Sequence, residues 1–477
     1  MPFPFAPSTT SQVAFQSHLT SSTHPSLPSA TTSQRSVVRS ALKSHKRLSA
    51  SDQSNNLSAL VTALSEYLKY LCSLDLGLSG KPVSNEDVDI ALINEIEVEW
   101  RPTLGSSNIP GREAERVKGK GLDFELYFVH HTLAVVYNLL ARHSLLGLYA
   151  TTTPTADQRL SFIRNAIQSL TKAYSLHAYL SHRSSFSADG PPTFPAPAAD
   201  ISQPVQSALQ HLTQAEINLL SVLKDDPYPA QVLQSRNKDD KEWMIKAPEK
   251  PKARVAMLQR LCIGAAEKAA SASVALKTEG KRASKDLIEY CEDLRATARA
   301  KACRFAAVEA DTSGETGKAI AWIRAGLNEL GIEISSTGSK STFSKLKNTY
   351  AERKEDKRIA KGDSTWGVDG GKAEEGRILA FLETKFTKAN DTINIQLIPE
   401  WKPLLAQMPG AMVFPVNEKW KPVTLAEDEL AAMRALPDGD NLEQGAESSD
   451  EDEVGKERRP AGAFPGTDEE YGRSNYY

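Results

Sequence analysis

The chain has 477 residues, room for one large domain or two to three ordinary ones, and its 40% hydrophobic content supplies a core. Its 57 Lys and Arg against 60 Asp and Glu leave a net charge of −3, which argues against a nucleic-acid binder with basic residues gathered on one face. The cysteines Cys72, Cys262, Cys291 and Cys303 are never two or three residues apart, which excludes a zinc-type pair and a disulfide framework and leaves reduced, cytosolic thiols as the reading. The opening MPFPFAPSTTSQVAF has no basic stretch followed by an apolar core, so it does not read as a signal peptide. No run approaches the roughly 18 apolar residues of a membrane span.

Residues 1–30, with Pro2, Pro4, Pro7, Pro25 and Pro28 among Ser and Thr, read as extended, with short strands around Val13 to Phe15. From Ser33 a helix begins, with Val37, Val38, Ala41 and Leu42 on one side. A longer helix from about Asp52 to Leu76 puts Leu57, Leu60, Leu64, Leu68 and Leu71 inward and stops at Gly77 and Gly80. Residues 84–104 are expected to hold a third helix, broken at Pro102 and Gly105.

The stretch Gly121 to Ala150 organises the rest. Leu126, Val129, Leu133, Val136 and Leu140 recur at steps of three and four, and Phe128, Val135, Leu139, Leu145 and Leu146 fill the other faces. A helix apolar on most sides is buried among other helices. Further helices are expected over about 156–182 and 204–224, with a Ser/Pro/Ala-rich loop at 184–203 between them. An irregular insert, DDPYPAQVLQSRNKDDKEWMIKAPEKPK, precedes helices at about 252–279 and 284–310. The latter carries Ala298, Ala302, Ala306 and Ala310 and runs into GETGKAIAWIRAGLNELG, which together read as one tetratricopeptide-like helical hairpin. Residues 335–372 form a polar insertion with a basic helix at 343–360. A last long helix, about 373–395, ends in NDTINIQLIPEWKP. Between Asp438 and Glu453 stand eight acidic residues and no basic one, the mark of a disordered tail. The reading is therefore a body over 1–436 and an acidic tail over 437–477.

No segment carries catalytic chemistry. GVDGGKAEE has Trp366 and Ala373 where a phosphate-binding loop needs Gly and Ser/Thr. Gly119-Lys120-Gly121 reads as a loop. His130 and His131 point about 100° apart on their helix, which is poor geometry for one metal, and they read as packing residues. The basic helix at 343–360 reads as a solvated face. Tyr228-Pro229-Ala230-Gln231-Val232-Leu233 fits a loose Tyr-Pro-x3-Leu pattern that chance produces readily. An apolar group has two readings. Leu219 and Leu220 end one helix, and Met257 and Leu261 lie one turn apart on a later one. They are core, or they line a groove for a partner's amphipathic helix.

INEIEVEWRPTLGSS (93–107), LDFELYFVHHTLAVVYNLLA, the ARAKACRFAAVEA to GKAIAWIRAGL hairpin and NDTINIQLIP (390–399) resemble, in order and spacing, the BRO domain of Alix-type proteins. MPFPF, RVKGKGLDFELYFV, LKDDPYPA, NKDDKEWMIKAPE and AFPGT narrow the resemblance to the fungal pH-response regulators of that family. It implies an all-α, boomerang-shaped BRO domain with the helical hairpin in its core and a short N-terminal β-hairpin. It also implies a cytoplasmic scaffold with neither enzyme activity nor cofactor nor metal, recruited to plasma membrane or endosome through partners. The implied partners are the amphipathic C-terminal helix of the ESCRT-III filament subunit, an arrestin-like protein on the membrane pH sensor, an Alix-like protein and a calpain-like protease that processes a zinc-finger transcription factor. The alternative is a generic endosomal cargo-sorting adaptor with no pH role. Carried onto this sequence, the family's apolar patch falls on Leu219 or Leu220, Met257 and Leu261. The family's Arg after LIP is replaced in the Ala411-Met412 region, so Lys419, Trp420 and Lys421 stand as a second contact.

Overall fold

The computed structural model describes residues 2–105, 114–149, 154–183, 192–236, 255–332 and 366–435. The expected basic helix at 343–360 and the acidic stretch beyond Pro437 lie outside the described residues.

Among the described residues five short strands, Thr9–Thr10 (β1), Leu19–Thr20 (β2), Ala91–Leu92 (β3), Glu97–Arg101 (β4) and Val117–Lys120 (β5), form two antiparallel sheets, one ordered β1-β4-β5 and the other pairing β2 with β3. Two expectations are corrected here. The N-terminal strands do not pair with each other as a hairpin, and Phe15 opens a 3₁₀ turn (Phe15–Ser17) rather than lying in a strand. The segment 84–104 is not a helix. Ser84 and Asn85 take left-handed backbone angles that break one. Beyond them Val98 and Trp100 face inward while Glu97, Glu99 and Arg101 face outward. That is a period of two, the strand period; Trp100 sits opposite Val117 and Val98 opposite Gly119.

The helices follow the apolar periodicity more closely. Leu27–Arg47 (α1) and Ala50–Leu78 (α2) form an antiparallel pair. The first starts earlier than Ser33 because Pro28, with its fixed φ and no N–H, suits a first turn. Leu122–Leu146 (α3) is buried on nearly every face, as its all-round apolar sequence demands. Ala156–Arg183 (α4), Gln203–Asp225 (α5) and Tyr228–Arg236 (α6) come next. The last falls in the insert expected to be irregular. Pro229 fits its first turn, and the Asp226 carboxylate accepts the Tyr228 amide at 3.2 Å as a cap. Tyr228 is buried there, so the Tyr-Pro pattern is not displayed as an extended peptide.

Val255–Thr278 (α7), Lys285–Thr312 (α8), Thr316–Glu329 (α9), Lys372–Ala389 (α10) and the short Lys402–Leu405 (α11) and Glu427–Ala431 (α12) complete the described body. The alanine ladder of α8 does as expected. Ala298 packs towards α7, while Ala306 and Ala310 pack in the cluster of α9 and α10. The small side chains let three helices close on one. Among the described residues no helix is long and apolar enough to cross a membrane.

Two buried polar clusters tie these layers. On α3, Glu125 accepts from Arg35 at 2.9 Å, Tyr67 at 2.8 Å and Trp100 at 2.6 Å, joining α1, α2 and β4 to the central helix. On α8, Arg304 donates to Asp226 (2.6 and 3.1 Å) and Glu375 (2.6 Å), and Lys301 donates to Glu375 (2.6 Å). That joins the end of α5 to α10. Charges this deep persist only when each is paired.

Candidate partner-binding surface

The apolar candidates lie on α5 and α7, which pack together, and the structure separates them. Adjacent residues on a helix point about 100° apart, so Leu219 and Leu220 serve different layers. Leu220 is buried with Ala141, Leu145, Ile163 and Leu170 of α3 and α4. Leu219 is half-buried and packs against the cluster of Val222, Leu258, Leu261 and Phe305 between α5, α7 and α8. Leu261 is only 4% exposed within that cluster, while Met257, one turn earlier, is 40% exposed. Leu220 and Leu261 are therefore core, and Leu219 and Met257 reach the surface.

A strap from later in the chain shares this surface. Residues 408–416 run extended along it. The Met412 amide donates to the Arg260 carbonyl at 3.0 Å, and the Arg260 guanidinium donates back to the Gly410 carbonyl at 3.0 Å. Buried Asn218 accepts the Phe414 amide at 2.9 Å, and Gln214 donates to the Phe414 carbonyl at 3.0 Å. Met408, Ala411 and Met412 pack on the Leu261 cluster and Val416 on the Leu220 cluster. Val413 and Phe414 are turned outward and substantially exposed. The sequence did hold a signal: MPGAMVFPV has no charge, and Pro409 and Pro415 favour extended backbone.

The residues read as a second contact differ in exposure. Lys419 and Lys421 are exposed, but Trp420 between them is half-buried against the α1–α3 core, its ring edge-on to His130 at 6.0 Å. Trp420 anchors the strap. Further on, Leu425 is buried, its amide donating to Ser73 at 3.0 Å.

His130 and His131 are buried and divided between neighbours. His130 bonds the Leu126 carbonyl at 2.8 Å, and His131 meets Gln206 of α5 at 3.0 Å. Burial lowers the His130 pKa to about 4 and the His131 pKa to about 3. Among the described residues no three His, Cys, Asp or Glu side chains form a metal-holding group. All four cysteines are free and buried, and burial raises their thiol pKa, to about 12 for Cys262. That is the reverse of nucleophile activation.

The His130 shift carries a testable sign. Below its ordinary 6.5 the unfolded chain takes up a proton that the folded one refuses until about 4. The stability that neutral His130 allows is present above 6.5 and is lost as pH falls towards 4. Replacing His130 with phenylalanine is expected to flatten the fall in unfolding free energy across that window by up to about 1.4 kcal/mol per pH unit, one proton's worth. Urea unfolding at stepped pH reads this directly; an unchanged slope would refute it.

The geometry is a helical body with an apolar, strap-lined surface. No family profile matches the chain. Its sequence is 38% identical over 505 aligned positions to the pH-response regulator protein palC of Emericella nidulans, covering 98% of this chain and 99% of that one. The chain belongs to the palC family of pH-response regulators. The palC-family fold is similar to the ALIX BRO1 domain solved in complex with CHMP4C, with a TM-score of 0.54 at 13% identity over 90% of this chain and 99% of that one. It is also similar to ALIX solved with the SIVmac239 PYKEVTEDL late domain, with a TM-score of 0.51 at 14% identity over 89% of this chain and 49% of that one. At such identities the likeness speaks for the fold, which is that of a BRO domain. The palC-family chain is thus a pH-response regulator built on a BRO scaffold.

Proposed function

We propose that this chain is a non-enzymatic adaptor in alkaline ambient-pH signalling whose α5–α7 surface receives an amphipathic helix, that of the ESCRT-III filament subunit. The observation that carries the proposal is the apolar surface itself. Met257 of α7 and Val413 and Phe414 of the strap are exposed, and half-buried Leu219 packs on the buried Leu258 and Leu261. A partner helix lays its apolar face on such a surface with anchors at i, i+3 and i+4. The neighbour solved with CHMP4C supports a partner role for the fold. The relation to palC favours pH signalling over generic cargo sorting. In this reading an arrestin-like protein, an Alix-like protein and a calpain-like protease are the other contacts, and recruitment to plasma membrane or endosome comes through them. Residues 1–436 act as the BRO body and 437–477 as an acidic tail, and Lys419 and Lys421 add charge at the rim.

The test is titration of the full chain with a fluorescent peptide of that C-terminal helix, wild type beside Met257→Asp. Met257 is already 40% exposed, so the variant keeps its core. A carboxylate facing an apolar partner is expected to weaken binding by about 10- to 100-fold. Leu261→Asp is the poorer probe, since it buries a charge in the core and unfolds the site. Equal binding by a folded Met257→Asp chain removes the surface from the proposal. No binding by wild type removes the partner.

A further inference from the structure

The most exposed apolar side chains described lie far along the sequence from the α5–α7 surface. Ile393, Ile395 and Leu397 are 77%, 82% and 92% exposed and alternate along one short segment after α10. Large aliphatic residues this open are ordinarily scattered singly; here three stand together.

The segment is braced. The Asn390 side chain donates to the Gln396 carbonyl at 3.0 Å and accepts the Gln396 amide at 3.0 Å. The Ile395 amide closes on the Asn390 carbonyl at 2.7 Å. Asn394 donates to Thr316 at 2.8 Å; the Gln396 side chain donates to the Gly314 carbonyl at 2.8 Å and accepts the Gly317 amide at 3.0 Å. Gly317 lets the chain sit this close, for a Cβ there would overlap the Leu397 carbonyl. Ile395 is held at φ 44°, ψ 45°, a left-handed conformation that a β-branched residue adopts only when its surroundings impose it. Polar side chains and backbone thus fix a prong whose apolar tips face outward.

We propose that the prong is a membrane wedge, its three aliphatic tips entering the acyl boundary of a lipid bilayer. The surface argues for lipid over a protein pocket. Three such tips offer on the order of 400 Å², about half the roughly 800 Å² per partner of a stable protein interface. A convex apolar tip needs no complementary pocket in a bilayer. At its base Trp401 is half-buried with Lys402 lying 6.0 Å over its ring, the aromatic and cationic pair suited to the headgroup level. Exposed Lys385, Lys388 and Lys402 are nearly balanced by Asp391 and Glu400, so the attachment is apolar in character and insensitive to salt. The inference is independent of the α5–α7 proposal.

The experiment is sedimentation of the full chain with vesicles of neutral, unsaturated phosphatidylcholine at low and high salt. Wild type is expected to bind in both. The triple variant I393S, I395S, L397S, whose changes touch no core residue, is expected to lose at least tenfold in partition with an unchanged circular dichroism spectrum. A second reading uses Leu397→Cys carrying an environment-sensitive dye, selective because the four native cysteines are buried. Its emission is expected to shift to the blue on vesicles. Absence of wild-type binding to neutral vesicles, equal binding by the triple variant, or an unshifted dye each overturns the wedge.

Discussion

Replacing Arg304 with methionine is expected to lower the unfolding free energy by about 3–5 kcal/mol, the usual penalty for removing one partner of a buried ion pair. Methionine keeps much of the volume and the packing on Phe305, over whose ring the guanidinium lies at 4.7 Å. It leaves Asp226 without its two guanidinium bonds and Glu375 with Lys301 alone. In the wild type, burial pushes the Asp226 carboxyl up, but Arg304 outweighs it and holds the group below its ordinary range. In the variant only Lys301 and the Tyr228 amide still oppose burial, and the group is expected to rise. The sign follows. Wild-type Asp226 contributes stability above the ordinary carboxylate pKa and loses it as pH falls through its depressed value. The variant carries a penalty at neutral pH that is relieved as pH falls through the raised one. The difference between the two chains is therefore expected to be largest near neutrality and to shrink under mild acid. Adding Asp226→Asn is expected to recover part of the loss. Urea unfolding near pH 7 and near pH 5 measures all of this, and a neutral-pH loss under about 1 kcal/mol would show that the network is not paired as described.

Gly264→Ala is expected to destabilise the chain by about 1–3 kcal/mol, against the trend for its position. Alanine inside a helix normally gains up to about 1 kcal/mol over glycine. Here a methyl group would overlap the carbonyl oxygen of Met412, a backbone atom that no rotamer change removes. The strap has to lift, and with it go the Met412–Arg260 and Phe414–Asn218 bonds. Hydrogen exchange followed by mass spectrometry is expected to show faster exchange over 408–416 with α7 itself still protected. Because Val413 and Phe414 border the proposed surface, affinity for the amphipathic-helix peptide is expected to fall in parallel. A variant at least as stable as wild type, with an undisturbed strap, would contradict the close approach.

Both sites show where a sequence is readable. Helices announce themselves because their apolar period is local: α2, α3, α4 and the α8–α9 hairpin lie within a few residues of where the spacing puts them. The same habit of counting in threes and fours misread Glu97–Arg101, five residues too short to show a period of two securely. It also left the Asp226-capped α6 as irregular, since its cap depends on a carboxylate that Arg304, 78 residues further on, also binds. Of the apolar candidates, Met257 is exposed and Leu219 half-buried, while Leu220 and Leu261 are core. Spacing could bring Leu219, Leu220, Met257 and Leu261 towards one place, and only packing could say that α4 covers Leu220 while the strap and α8 cover Leu261.

The sequence by itself determined the helical class, the order of the long helices, the buried character of α3 and the resemblance to BRO domains, because each rests on side chains adjacent along the chain or on motifs in line. Tertiary structure alone decided which apolar residues face solvent, that 408–416 is a strap on the α5–α7 surface, and that 390–397 is braced into an open prong. Those outcomes depend on contacts such as Met412 with Arg260 and Gln396 with Gly317, between residues some 80 to 150 positions apart. No local period encodes the partner of an extended segment whose backbone bonds are satisfied by a distant helix.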